Sequence, residues 1–458
     1  MNRVRSPGVK LFMAGAVAVA LIIPLMMVYW LVYDREEQSR SAQQSITSGW
    51  GGAQQVTGPV LVIPYEKTET ELVTQDGKRS QRTTRTRQSL FVSPQRQSVK
   101  TNIDPSRKAY AIYESVVYDS TLSGTAVFAL PDDLSRYGVT REQLILAEAE
   151  LRFGVSDPRG LKDDAKVTVG GEAAELRPGN GPAATGGSGF STFVAWDGAE
   201  DLTVEWTYGL RGSRSLALVP RGGETEWQVT SPWPHPSFTG SFLPDEQSIS
   251  GEGFTATYSG ITNLALGRPL VSLTDHGAPV SEVDARSIVD IETKIATIGL
   301  VDPVDLYSQV DRATKYGFLF IGFTFAAFLL FDVVGGARVS AVEYLLTGAG
   351  LILFFVMLLA FAEVIGFGWA YLVAAGAIVG LLTAYSAAVL GGRKRAGFIG
   401  AMLAGLYALL YVLLSMETYS LLIGSLLLFA ALAGIMYATR GVDWSGGRQE
   451  EGGEAAIA

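Results

Sequence analysis

LFMAGAVAVALIIPLMMVYWLVY, residues 11–33, runs without a charge and is preceded by Arg3, Arg5 and Lys10. A basic start before an apolar run fits either a membrane anchor or a secretory leader, whose apolar core is about 7–15 residues long. This run is longer and approaches the roughly 20 residues a helix needs to cross hydrocarbon, so the uncleaved anchor is the stronger reading. The second half of the chain repeats the pattern five times, at 316–334, 342–362, 368–390, 397–414 and 419–438. Six transmembrane helices are therefore expected.

Short cytoplasmic loops hold an excess of Lys and Arg, and that bias sets orientation. Arg3, Arg5 and Lys10 precede the first run, Arg338 separates the second from the third, and Arg393, Lys394 and Arg395 separate the fourth from the fifth. Arg440 and Arg448 follow the sixth, whereas the loops at 363–367 and 415–418 contain neither Lys nor Arg. Both termini are thus expected in the cytoplasm. Tyr29, Trp30 and Tyr33 close the first run and Trp369 and Tyr371 open the fourth, as interfacial aromatic belts do.

The layout that follows is a cytoplasmic segment 1–10, a first span 11–33, an extracytoplasmic domain 34–312, a bundle of spans 2–6 over 313–438 and a cytoplasmic tail 439–458. The fold class is an α+β membrane protein with a large, mainly β, sandwich-like domain inserted between helices 1 and 2. Whole-chain averages conceal this: 48% hydrophobic, 18% charged, mean hydropathy +0.24 and net charge -9 resemble a soluble protein. Residues 34–312 hold 26 Lys or Arg against 37 Asp or Glu, and the remainder holds 10 against 8, so the acidity belongs to the inserted domain.

Within that domain a polar stretch, 34–48, is expected to continue the first helix. Short β-branched or alternating runs follow at 56–64, 89–92, 111–117, 125–130, 146–155, 166–169, 190–196, 202–208, 216–219, 227–230, 254–258 and 288–294. Their Gly and Pro punctuation marks a sandwich or sheet. Short helices are expected at 132–143 and 304–315, and a flexible loop or hairpin connection in the glycine-rich stretch 170–189.

Composition excludes several chemistries. The chain has no cysteine, so disulfides, thiolate metal sites and a cysteine nucleophile are out. Only His235 and His276 are available for imidazole chemistry, and no metal or cofactor is expected. Net acidity argues against a nucleic-acid partner. Neither GxGxxG nor a P-loop pattern occurs, and there is no GxSxG elbow. Paired carboxylates for a hydrolase stay open, because their proximity in space is not legible in sequence.

Two stretches carry candidate function. SPWPHPSFTGSFLP, residues 231–244, is stiffened by its prolines and offers Trp233, His235 and Phe238 as a recognition surface. The competing and stronger reading packs Trp233 and Phe238 over the end of the sheet, with His235 hydrogen-bonded. Asp311, Arg312, Lys315 and Tyr316 stand at the outer mouth of the second span, the positive pair held by Asp311, Glu363 or another acid, or snorkelling to lipid phosphate. The two stretches are candidates for coupling domain to bundle. His276 is read as a surface turn residue. The basic cluster Lys78, Arg79, Arg82, Arg85 and Arg87 reads as a solvated hairpin tip, with anionic lipid or cell-wall polymer as the alternative.

No charge falls deep in a span, and Asp332 and Glu343 lie at cytoplasmic ends. Ion-coupled transport is disfavoured on that ground, whereas passage of an uncharged or lipid-like solute stays open. Small residues at four-residue spacing, Gly376 with Gly380, Gly397 with Ala401, Gly400 with Ala404, and Ala401 with Gly405, are expected to pack helices closely within the chain.

The chain resembles the CreD family of bacterial inner-membrane proteins. The resemblance rests on TGPVLVIPY at 57–65, SPWPHPSFTGSFLP at 231–244, DRATKYGFLFIGFTF at 311–325, VEYLLTG at 342–348 and TRGVDW at 439–444. It implies support of cell-envelope integrity, control by a two-component system, and links to colicin tolerance and β-lactam response. It brings no catalytic residue. The expected partners are the lipid bilayer and envelope proteins or cell-wall components.

Overall fold

A computed structural model describes residues 7–75, 78–110, 113–275, 294–300, 306–333, 339–415 and 420–440. His276, most of the strand expected at 288–294, Arg3, Arg5, Arg338, Arg448 and the tail beyond Arg440 lie outside the described residues. The chain divides into two compact units, Met1–Arg40 with Val304–Ala458, and Ser41–Pro303.

The first helix, α1 (Pro7–Trp50), includes the whole anchor and continues through the polar stretch as expected. Its polar half is supported by i,i+4 bonds, Gln38 Nε2 to Asp34 and Arg40 to Glu36. Gly51, at φ 138°, ends it. After a one-turn helix α2 (Asn263–Leu266), the helical unit resumes with α3 (Leu306–Lys315), α4 (Gly317–Val333), α5 (Ala341–Ile365), α6 (Phe367–Val389), α7 (Arg393–Ser415) and α8 (Ser420–Thr439). Ser340 and Glu343 form a reciprocal capping box at the start of α5.

Among the described residues, five helices are long and apolar enough to cross a membrane, against the six expected. The sixth apolar run does fold as α8. α8 is 20 residues long and apolar throughout, and the part of it searched among the described residues, Gly424–Gly434, counts as a shorter apolar helix.

α1 meets the other helices through side chains seated in glycine notches. A Cβ on Gly348 of α5 would overlap Leu21 Cδ1, and one on Gly317 of α4 would lie 2.8 Å from Leu25 Cδ1. The interior of the bundle is aromatic. Tyr407 of α7 lies 4.7 Å from Phe320 of α4 and 4.5 Å from Phe354 of α5, and Tyr371 of α6 donates to the Tyr407 carbonyl at 2.6 Å.

The second unit is two packed sheets. Its strands are β1 (Gln54–Gln75), β2 (Lys78–Val92), β3 (Arg96–Tyr110), β4 (Tyr113–Phe128), β5 (Glu150–Val155), β6 (Lys166–Val169), β7 (Glu172–Ala173), β8 (Arg177–Pro178), β9 (Gly189–Phe193), β10 (Leu202–Ser213), β11 (Ser215–Val219), β12 (Glu224–Ser231), β13 (Pro236–Gly240), β14 (Glu246–Ser250), β15 (Gly253–Thr262), β16 (Val271–Ser272) and β17 (Ala296–Leu300). The nine-stranded sheet runs β13-β17-β11-β1-β5-β9-β8, with β2 on β1 and β16 on β2. The eight-stranded sheet runs β14-β15-β12-β3-β4-β10-β6-β7.

Strand β1 organises the first sheet. Its first residues pair in parallel with β11, Val56 to Val62 pair with β5, and from Leu61 onward it pairs with β2. Val60, Leu61, Val62 and Ile63 are all buried, the near-continuous apolar run expected of a strand covered on both faces. One core joins the sheets. Phe153 and Phe190 of the first sheet meet Trp206 and Tyr208 of the second edge-on, at 5.8 and 5.6 Å. Trp227 is fully buried, stacks on Tyr258 at 5.0 Å and donates to Thr101 Oγ1 at 2.9 Å.

Differences from the expectations are local. β3 was not expected. It is polar along its exposed face and carries Pro105, which lies past Asn102, the last residue paired with β12, where the missing N–H leaves no ladder bond unmade. The helix expected at 132–143 is two 3-10 turns, Leu134–Tyr137 and Arg141–Gln143, separated by Gly138 at φ 69°. Truncating Trp227→Ala removes the largest buried side chain and should destabilise the sheet unit by about 3–5 kcal/mol. Phe193→Ala, at a half-exposed site, should change stability by less than about 1 kcal/mol. Denaturant unfolding followed by tryptophan fluorescence compares the two.

Candidate functional site

The proline-aromatic segment crosses from β12 to β13 at the edge of the nine-stranded sheet. Trp233 is partly buried against the core, its N–H donating to the Ser231 hydroxyl and its indole Nε1 to the His235 carbonyl at 3.1 Å. The Arg107 guanidinium lies 5.8 Å from its ring centroid, within cation–π range. Phe238 pairs across the strand with Ile298 and meets Phe254 of the other sheet edge-on at 5.7 Å. Only His235 of the three is exposed. The packing reading thus describes Trp233 and Phe238, and the hydrogen bond at His235 uses its backbone.

The second candidate group lies at the α3–α4 turn in the helical unit. Lys315 pairs with Asp311 at 2.7 Å, four residues earlier on α3, and Arg312 Nε donates to the Ser308 carbonyl. Tyr316 is the turn residue between the helices, its N–H bonded to the Ala313 carbonyl. Glu363 accepts from the Tyr307 hydroxyl at 3.1 Å.

The small-residue positions require a correction. A Cβ at Gly376, Gly380, Gly397 or Gly405 would meet nothing within 4 Å among the described residues, and Ala401 is exposed. Among the described residues these glycines meet no neighbour closely. Gly400, one of the expected positions, does form a notch, where a Cβ would lie against Thr383, and further notches stand at Gly317, Gly348 and Gly350. Four-residue spacing identifies a smooth stripe, but only the neighbouring helix decides which stripe faces inward.

Sequence reasoning also missed the central polar contact of the helical unit. Lys10 of α1 pairs with Asp332 of α4 at 2.8 Å and also bonds its carbonyl at 3.1 Å. The Asp332 side chain is 1% exposed. Its second carboxylate oxygen and the Tyr344 hydroxyl are both buried without a hydrogen-bond partner among the described residues. A lysine at the head of one apolar run and an aspartate at the tail of another was the available signal, but 322 residues separate them.

Buried carboxylates of the sheet unit are engaged by arginines. Glu150 bonds Arg152 and Asn180, Asp157 is clasped by Arg159 and the Gly52 N–H, and Asp275 pairs with Arg221. The bond from Arg159 is the main cause holding the Asp157 carboxyl below its usual range, with burial opposing it. A cleft of about 600 Å³ is lined by Asp132, Glu200 and Asp201 with Arg141. Its three carboxylates are all solvent-exposed, whereas a glycosidase-type acid is set by burial. Among the described residues, no group of three His, Asp or Glu side chains could hold a metal ion.

Residues 6–445 match the family model described as inner membrane protein CreD. The inner membrane protein CreD of Escherichia coli strain K12 is 31% identical over 440 residues, covering 94% of this chain and 92% of that protein. Among solved structures, a mutant M1 zinc metallopeptidase from Deinococcus radiodurans aligns at TM-score 0.21 with 9% identity, over 50% of this chain and 53% of that one. A putative protease from Parabacteroides distasonis aligns at TM-score 0.19 with 12% identity, over 51% and 46%. Likenesses this weak carry no argument about fold or activity.

Two expectations follow from the paired charges. Asp332→Ala leaves Lys10 without its partner and should destabilise the chain by about 3–5 kcal/mol, whereas the double change Lys10→Met with Asp332→Leu should recover most of that loss. Thermal unfolding in lipid discs measures both. Because the folded pKa of Asp157 lies below its unfolded value, its contribution is present at neutral pH and is lost as pH falls through the folded value. Asp157→Asn should therefore narrow the stability difference between neutral and acid pH in paired denaturation curves.

Proposed function

The chain belongs to the CreD family of inner-membrane proteins, and from that premise we propose that it supports cell-envelope integrity through a periplasmic β domain, without catalysing a reaction. In this reading six helices span the membrane, both termini are cytoplasmic and residues 34–312 are periplasmic. Its partners are the bilayer and envelope proteins or cell-wall components, and it belongs to the envelope-stress response to β-lactams and colicins.

The observation that carries the reading is the segregation of exposed apolar surface. Phe12, Ile23, Met27, Trp30, Val364 and Trp369 are exposed along the helices, as lipid-facing residues are. In the sheet unit the exposed large apolar side chains, such as Phe193, Leu243 and Leu264, are scattered singly, which suits an aqueous compartment. The Lys and Arg bias of the short loops supports the orientation. The packed cluster of Phe320, Phe354, Tyr371 and Tyr407 fills the space between α4, α5, α6 and α7, and this favours an anchoring bundle over a solute path.

His235, the exposed one of the three candidates in the proline-aromatic segment, is assigned to partner contact, and Trp233 and Phe238 hold the segment against the sheet. Asp311, Arg312, Lys315 and Tyr316 are assigned to the outer headgroup zone. A reporter inserted at Gly251, in the exposed β14–β15 turn, should report the periplasm and one at Gly441 the cytoplasm; the reverse at either position overturns the topology. Loss of the chain should raise sensitivity to detergent and β-lactam, restored by the native gene, and unchanged sensitivity overturns the envelope role. A photo-crosslinker at residue 235 should capture an envelope component in cells, and failure to do so removes His235 from the partner surface.

A further inference from the structure

The chain leaving β15 turns through α2 and folds back to β16, and this excursion encloses a pocket of about 30 Å³ lined by Arg221, Asn263, Arg268, Ser272 and Thr274 together with Phe91. Gly267, at φ 61°, makes the reversal, with the Arg268 N–H bonded to the Asn263 carbonyl at 3.1 Å. The Ser93 N–H bonds the Leu270 carbonyl at 2.7 Å, and Val271 pairs with Val92, so the loop is fastened to the nine-stranded sheet. Pro269 and Thr274 are exposed and bring the pocket to the surface.

Among the described residues the charges here do not balance. Asp275 is the acid at this place among the described residues, and both its oxygens are committed: Oδ1 accepts from Arg221 Nη2 and Oδ2 accepts from the Ala183 N–H at 2.6 Å. Arg268 adds a second guanidinium, and its Nη1 is buried with no hydrogen-bond partner among the described residues. Burial first, and then the field of Arg221, hold Arg268 below its usual pKa, with Asp275 opposing. A further cation stands close by. Lys294 Nζ bonds the Leu266 carbonyl, and a Cβ on Gly267 would lie 2.9 Å from it. Leaving a charged donor buried without an acceptor is costly, and a loop fastened at several points keeps it in place.

We infer that this pocket binds a ligand carboxylate, with Arg268 as the receiving guanidinium and Asn263, Ser272 and Thr274 around it. Size selects the class. A water-sized group needs roughly 10–15 Å³ of this kind of space, so the pocket seats about two such groups, the two oxygens of a carboxylate, and is small for a whole phosphate. A planar guanidinium presents paired N–H donors that match those oxygens. The carboxylate could belong to the end of a peptide or to an acidic sugar, and the chemistry at Arg268 is the same for both.

The test uses the full chain in lipid discs and saturation-transfer NMR. The probes are an N-acetylated dipeptide with a free C-terminus, the same dipeptide amidated, glucuronate, and inorganic phosphate. Binding of the free dipeptide or of glucuronate is expected, and which one binds identifies the source; amidation should abolish the dipeptide signal. Arg268→Gln should weaken binding about tenfold or more. Arg268→Lys, which retains the charge and the loop's cation but not the fork, should fall between native and Gln. Thermal unfolding of each variant verifies the fold. Equal binding of the amide, preference for phosphate, native affinity in both variants, or no binding of either carboxylate probe overturns the inference.

Discussion

A backbone in hydrocarbon has no water to bond, so each N–H and C=O must find its partner within its own segment. The helical unit follows from this. Residues 11–33 and the later apolar runs can satisfy their backbone only as helices, and their polar side chains then turn inward for the same reason. Thr314, Thr347 and Thr383 each bond the carbonyl four residues back, and Tyr371 reaches the Tyr407 carbonyl. Lys10 and Asp332 obey the same rule with charges, where a single unpaired ion would be far more costly than an unpaired hydroxyl.

The sheet unit has only its own packing to rely on, since the chain has no cysteine. Its two sheets share one core into which strands such as β12 send every second side chain. The aromatic contacts from Phe153 to Trp206 and from Phe238 to Phe254 fasten the two ends. Glycine marks where backbones come closest. A Cβ at Gly124 would overlap Trp206 and the Ser98 carbonyl, so the β3–β4–β10 junction depends on a missing side chain.

Apolar length was legible in the sequence because a span needs nothing but composition. The first half of strand β1 was legible for a similar reason, in its valine-rich run, but the strand was expected to end at Pro64 and instead continues to Gln75, paired with β2. What was not legible depended on partners distant along the chain. β3 is polar and proline-containing, yet Val99, Thr101 and Ile103 are buried because β4 and β12 flank it. The proline-aromatic segment announced its stiffness, and the choice between recognition and packing fell to the position of Phe254. The glycine stripes were visible, but which of them faced a neighbour was set by where Leu21 and Thr383 arrive.

The pairing of charges bears on which activities the chain suits. A relay or coupled transporter needs ionisable groups that exchange partners along a path, whereas Lys10 and Asp332 hold each other at the ends of their helices. Between α4, α5, α6 and α7 the space is taken by rings packed edge-on or tilted against one another. In the sheet unit Glu150, Asp157 and Asp275 are likewise each bound to an arginine, which removes them as free acids or bases. Arg268 of the sheet unit differs, because its buried Nη1 donor lacks an acceptor among the described residues. Among the described residues of the sheet unit, Glu150, Asp157 and Asp275 are paired while the Arg268 Nη1 donor is open, an arrangement suited to receiving an anion.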